Sequence, residues 1–181
     1  QLYSYSSNPR DLVNELVNDV ITKLSDRNVS EEEKAEFIKK IALKYVDINA
    51  LGLYTLGELR KSANKQAIQK YQIAFEKYFL KTLTSRMKDF SSSSFEVIES
   101  DQKSSNYTII KSKVKPENGD PEIEINWRIY TKDPTKPLIR DLIVEGLSLA
   151  RTQKEEFASI LSSNNNDINV LINKLENFVK D

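Results

Sequence analysis

A chain of 181 residues with 39% hydrophobic and 30% charged side chains reads as one globular domain, and no apolar run approaches the roughly 18 residues of a membrane-crossing helix. Lysine plus arginine equals aspartate plus glutamate at 27 each, which argues against a nucleic-acid binder held by bulk charge and against permanent attachment to an anionic membrane. Cysteine and histidine are both absent, which removes thiol chemistry, thiolate metal sites, disulfides, the commonest general base and any Ser-His-Asp arrangement.

Asn8-Pro9 predicts the first helix, with Asn8 as cap and Pro9 in the first helical position. Leu12, Val13, Leu16, Val17, Val20, Ile21 and Leu24 follow at helical spacing. Ser30-Glu31-Glu32-Glu33 is a capping box opening a second helix, whose apolar face is Phe37, Ile38, Ile41, Ala42 and Tyr45. A short helical piece spans Ile48 to Leu59, interrupted by Gly52 and Gly57. Asn64 then caps a long helix to about Phe90, with one stripe of Ile68, Phe75, Phe79 and Leu83 and a neighbouring one of Tyr71, Ala74, Tyr78 and Met87.

Ser91 to Ser94 breaks that pattern, and four strands are predicted: Phe95 to Glu99, Tyr107 to Lys115, Glu122 to Thr131 and Leu138 to Glu145. Asp101 to Asn106, Asn118-Gly119-Asp120 and Asp133-Pro134 to Pro137 supply the turns, and such short connections imply an antiparallel meander. The third strand puts Ile123, Ile125, Trp127 and Ile129 on one face. The second puts Thr108, Ile110, Ser112 and Val114 on one face, where small Thr and Ser would leave room inside. The fourth has no clear phase. Gly146 and Ser148 return the chain to helix with Leu149, Phe157, Ile160 and Leu161, and a last helix carries Ile168, Leu171, Ile172, Leu175, Phe178 and Val179. Residues 1–181 therefore read as a single α+β domain: a four-stranded antiparallel sheet packed with N-terminal, central long and C-terminal helices.

Few chemical constellations stand out. The aromatic face of the long helix suits a ligand cavity or an ordinary core, and the core is the commoner use. Asp141 and Glu145, four apart on a strand, are a carboxylate pair that could do acid-base work, or could simply pair with Arg128, Arg140 or Arg151. Ser148 at a helix start could help bind phosphate, or be a plain cap. Walker loops, dinucleotide turns and metal-ligand clusters are absent.

The segment from Asp141 to Arg151, Asp-Leu-Ile-Val-Glu-Gly-Leu-Ser-Leu-Ala-Arg, resembles the hallmark of the MlaC family, also called the toluene-tolerance or organic-solvent-tolerance auxiliary proteins. Thr152 to Phe157 continues that resemblance. Leu56-Gly57 resembles the family's turn before its long helix, Tyr71, Phe75 and Phe79 its spaced aromatics, Trp127-Arg128 its Trp-Arg pair, and Asp47 an acidic residue ahead of the turn. The likeness runs in order from about residue 10 to residue 178; Pro137 departs from it, standing where the family often has Trp.

The resemblance implies a curved, NTF2-like sheet whose helices enclose an apolar cavity for acyl chains. It thereby favours the cavity reading of the aromatic face. It implies a lipid-carrier domain in the periplasm, its signal peptide removed, that shuttles phospholipid between an outer-membrane lipoprotein–porin complex and an inner-membrane MCE-domain ABC transporter. On this reading the chain is a monomer and not an enzyme, and has no cofactor, metal, catalytic residue or nucleic-acid partner. The alternatives are a hopanoid or other lipid carrier, a small NTF2-like enzyme with Asp141 as base, or a lipid-free adaptor. The implied lining is Tyr45, Leu53, Leu56, Tyr71, Phe75, Tyr78, Phe79 and Leu83 from helices, Ile110, Ser112, Val114, Ile123, Ile125, Trp127, Leu142 and Val144 from strands, and Leu149 beyond them. Phe75, Phe79 and Leu83 are expected to face Ile110, Val114, Ile123, Ile125 and Trp127 across the cavity.

Overall fold

Capping side chains set where the helices begin. In the computed structural model, which describes residues 4–181, Asn8 accepts the Asp11 N–H at the head of α1 (Pro9–Ser25). Ser30 accepts the Glu33 N–H at the head of α2 (Glu31–Tyr45). Each cap satisfies a donor that has no preceding turn of helix to bond to. Asp47 does the same for α3 (Ile48–Thr55), which ends ahead of Gly57 and the one-turn α4 (Leu59–Ser62). Gly57 has φ +59, a conformation that favours glycine. Asn64 caps α5 (Lys65–Arg86), and a 3₁₀ turn (Met87–Phe90) ends that stretch. Gly52 has a packing role: a Cβ there would lie 3.0 Å from Phe75 Cδ1, so its absence lets α3 approach α5 closely. Among the described residues no helix is long and apolar enough to cross a membrane.

The sheet has five strands, one more than the sequence suggests. β1 (Ser94–Gln102), β2 (Tyr107–Lys115), β3 (Ile123–Tyr130), β4 (Leu138–Val144) and β5 (Leu147–Ser148) lie in chain order, each antiparallel to the next. β5 is only two residues long, too short for any periodicity to reveal it. It folds back on β4 through Glu145 and Gly146, with φ of +50 and +80. Positive φ at both central residues is the geometry that matches strand twist in a tight hairpin. Ser148 then caps α6 (Leu149–Ser162), and Asp167 caps α7 (Ile168–Lys180).

The missing phase of the fourth strand has a physical cause. Arg128 pairs with Asp141 but Ile129 pairs with Ile139, which leaves Arg140 as the extra residue of a bulge. A bulge shifts the alternation by one. Ile139, Leu142 and Val144 therefore all stand on the same face as their partners Ile129, Trp127 and Ile125. A second bulge, at Ile98 in β1, follows the pairs of Phe95 with Val114 and Val97 with Ser112; it leaves Ile98 exposed and sets Ser100 opposite Ile110.

Two apolar clusters form, not one. In the first, Leu12, Val13 and Leu16 of α1 and Phe37, Ile41 and Tyr45 of α2 cover the inner face of the sheet at Ile110, Val114, Ile125, Trp127, Ile129 and Ile139. In the second, Ile48, Leu56, Tyr71, Ala74 and Phe75 pack with Phe157 and Leu161 of α6 and Ile168, Leu171, Ile172 and Leu175 of α7. Val46 packs against both. Beside it Asp47 donates its N–H to the Ile139 carbonyl at 2.9 Å and accepts from Arg140 Nε and Nη2 at 3.0 and 2.9 Å.

Asp47→Ala removes the α3 cap and leaves Arg140 without its carboxylate. We expect a loss of about 2 kcal/mol, read as a lower urea midpoint at unchanged slope; an unchanged midpoint would show that the junction adds no stability.

Candidate functional site

The expected lining residues divide between the two clusters. Tyr45, Ile110, Val114, Ile125 and Trp127 are buried in the first, and Ile123, Leu142 and Val144 are packed at its edge and half-buried. Leu56, Tyr71 and Phe75 are buried in the second, with Tyr78 and Phe79 half-buried at its edge. Leu53 and Leu83 are half-buried on α3 and α5, and Leu149 is exposed at the start of α6. The expectation that Phe75 faces the sheet is therefore corrected, while Phe79 and Leu83 stay half-buried on α5. Phe75 and Phe79 stack on each other, with Phe75 edge-on to Phe157 of α6, while α1 and α2 supply the helical cover of the sheet. The periodicity of α1 and α2 was visible, but periodicity gives a helix its apolar face without naming the partner of that face.

Ser112 does not leave an open place in the wall. It is 1% exposed. Its hydroxyl donates to the Ile125 carbonyl and accepts the Trp127 indole N–H at 2.9 Å. The small side chain serves the indole: a buried N–H of this kind needs an acceptor, and Ser112 provides it. Trp127 is the chain's single tryptophan and meets Phe95 edge-on at 6.4 Å between ring centroids.

In the helical cluster the aromatic stripe carries polar ends. The hydroxyls of Tyr71 and Thr55 share a buried hydrogen bond of 2.5 Å. Burial pushes the Tyr71 phenol well above its ordinary range, against the opposing effect of the Thr55 bond, so it stays neutral. Burial, then the charge of Glu156, raises the Tyr78 phenol as well. Tyr78 donates to Gln153 Oε1 at 3.0 Å.

Around the two clusters runs a fringe of partly exposed apolar side chains. Val17, Val20, Phe90, Phe95, Val97, Ile123, Leu142 and Val144 border the first, and Leu51, Tyr78, Phe79, Leu80 and Ile160 border the second. Apolar groups left partly in water beside a core are the surfaces that a hydrophobic ligand can cover.

The carboxylates expected to pair with arginines do not. Asp141 Oδ2 accepts the Ser148 hydroxyl and Oδ1 accepts the Ala150 N–H at 3.0 Å, so the side chain is spent on the start of α6. Glu145 lies in the hairpin turn rather than in the strand, and its carboxylate accepts the Glu124 N–H. Arg140 pairs with Asp47, and Arg151 pairs with Glu155. Ser148 is a plain cap, accepting the Arg151 N–H. Among the described residues there is no group of three or more acidic side chains placed to hold a metal ion. On the outer face a recess of about 170 Å³ opens where α3 and the start of α6 meet Tyr107, Arg128, Arg140 and Asp141.

The family model for the MlaC protein matches residues 14–177. No curated protein sequence matches the chain. Among solved structures it is similar to the phospholipid-binding protein from Ralstonia solanacearum in complex with a phospholipid, at 17% identity and a TM-score of 0.76, over 93% of this chain and 94% of that one. At that identity the likeness establishes a shared fold.

Ser112→Ala leaves the Trp127 indole N–H without its acceptor inside the core. A destabilisation of about 1–3 kcal/mol is expected in urea unfolding. Ser112→Trp overpacks the same place and should destabilise by at least a similar amount; a Ser112→Trp variant of undiminished stability would show that this part of the wall is open.

Proposed function

The chain belongs to the MlaC family, and on that footing we propose that it is a carrier that buries the acyl chains of a phospholipid between its two apolar clusters. The observation that carries this reading is the division of the core. A single compact core would exclude a ligand, whereas two clusters joined at Val46, each with a half-exposed apolar fringe, can part and take an acyl chain between them. The phospholipid held by the Ralstonia solanacearum protein of the same fold supports the reading. The recess on the outer face, at about 170 Å³, is too small for this cargo; pockets for even drug-sized ligands run from roughly 300 to 1,000 Å³.

The physics of the task fits an apolar cleft. Burying a methylene contributes about 0.8 kcal/mol, so one 16-carbon chain in water costs on the order of 12 kcal/mol. A carrier must hide the chains and can leave the headgroup in water. Non-directional burial also permits release into another apolar site of similar affinity. On this reading Phe79, Leu83, Leu142 and Val144 flank the cargo and Trp127 lies behind it. The carrier works in the periplasm, passing phospholipid between an outer-membrane lipoprotein–porin complex and an inner-membrane MCE-domain ABC transporter. Any use of ATP belongs to the transporter.

An enzyme with Asp141 as base fits less well, because both carboxylate oxygens are engaged at the α6 start. Asp141→Asn should lower stability by about 1–3 kcal/mol and leave lipid uptake in place.

Protein purified without denaturation, or incubated with diacyl phospholipid, should carry lipid in native mass spectrometry and in solvent extracts. Failure of both co-purified and added lipids to bind overturns the carrier reading.

A further inference from the structure

We propose that the recess on the outer face of the sheet is a binding site for a phosphate group, held by the guanidinium of Arg128. The recess is bounded by Tyr54 of α3, Tyr107 of β2, Arg128 of β3, Arg140 and Asp141 of β4 and Ala150 of α6. Its volume is about 170 Å³. A water occupies roughly 30 Å³ of the liquid, so the space suits a small oxyanion with a few waters.

Arg128 is the reason to expect an anion. Its guanidinium carbon lies 3.8 Å from the centroid of the Tyr107 ring, and this stacking fixes the plane of the fork. Among the described residues it has no hydrogen-bond acceptor and no ion-pair partner. The carboxylate opposite it in the register, Asp141, is held instead by Ser148 and Ala150. Arg140 also lies over a ring, that of Tyr130 at 3.6 Å, but its donors are taken. It bonds Asp47 and, at 2.8 Å, the Tyr107 hydroxyl. Burial opposes the charge on Arg140, but those bonds outweigh it and raise its pKa. Tyr107 thus braces both arginines, one by its ring and one by its hydroxyl, and leaves the Arg128 donors without an acceptor.

The charge balance favours an anion. Two guanidinium groups stand beside two carboxylates, but Asp47 and Asp141 are each consumed in capping a helix, α3 and α6. A helix N-terminus carries about half a positive charge, so the two capped ends offset roughly one of the two carboxylate charges and leave the recess about one charge positive. Those capped ends offer no site of their own; the free donors are those of Arg128. A planar fork with paired N–H groups matches the oxygens of a phosphate.

The site lies on the face of the sheet opposite the first apolar cluster and does not rest on the acyl-chain reading. Its phosphate could be free in solution or part of a headgroup presented at a membrane surface. Lipid-free ¹⁵N-labelled protein titrated with inorganic phosphate, against chloride at matched ionic strength, tests the chemistry. The Arg128 Nε–H resonance should shift saturably. Arg128→Gln should weaken the binding, followed through the Ala150 and Tyr107 amides, at least about tenfold. Arg128→Lys should weaken it less, because the charge stays and the fork is lost. Sedimentation with phosphatidylglycerol and phosphatidylcholine vesicles separates the sources. Binding to phosphatidylglycerol that free phosphate competes away and Arg128→Gln abolishes assigns a headgroup; vesicle binding unaffected by Arg128→Gln, with saturable phosphate binding retained in the parent protein, assigns a free anion. The proposal is overturned by a shift that chloride reproduces, by no saturation, or by phosphate binding that survives Arg128→Gln. If that variant does not fold, the parent titration and Arg128→Lys decide. Lipid loading of Arg128→Gln, read by native mass spectrometry, should be unchanged, which keeps this test separate from that of the carrier reading.

Discussion

Arg140 occupies the extra position where β4 bulges against β3, and its guanidinium holds Asp47 at the head of α3. On this contact the two halves of the molecule meet. Val46, one residue earlier, touches both apolar clusters and makes a parallel bridge to Ile139. One residue after Arg140, Asp141 takes the start of α6 through Ser148 and Ala150. Two neighbouring residues of one strand therefore anchor two helices of the second cluster to the sheet. The bulge makes this possible, because it lets Ile139 and Leu142 keep their places in the core while charged residues between them reach outward.

A core divided in this way has a consequence for stability. Each cluster buries fewer side chains than a single core of the same chain would, and the apolar fringe stays partly in water. For a protein that only needed to be stable this would be a loss, since each buried methylene contributes about 0.8 kcal/mol. For a carrier it is useful. On the proposed reading the acyl chains would supply the missing burial, and the free protein would need to break no close-packed interior to admit them. The polar ties of Asp47 and Asp141 hold the halves together at β4.

Much of the fold was legible because local chemistry decides it. Asn8, Ser30, Asn64 and Ser148 cap the helices that their sequence context announces. The alternation of Ile123, Ile125, Trp127 and Ile129 sets the buried face of β3. Three features were not legible, each for a physical reason. β5 is shorter than any period. The bulge at Arg140 cancels the alternation by which β4 would be read. The partner of a helical face is a tertiary fact, so Phe75 was expected against the sheet although it packs on α3 and α6. Ser112 was read from its size, and its role proved to be its hydroxyl. The family was legible because an ordered set of short motifs survives where no one of them is specific.

The central claim is that acyl chains enter between the clusters along the inner face of the sheet, beside Trp127. As the chain's one tryptophan, Trp127 reports on its own. Phospholipids brominated along the acyl chain quench indole fluorescence at short range, and brominated headgroup analogues provide the contrast. Loading with acyl-brominated phospholipid should quench Trp127 strongly, with little effect from headgroup bromine. Stoichiometric binding without acyl-dependent quenching would place the lipid elsewhere and contradict the account.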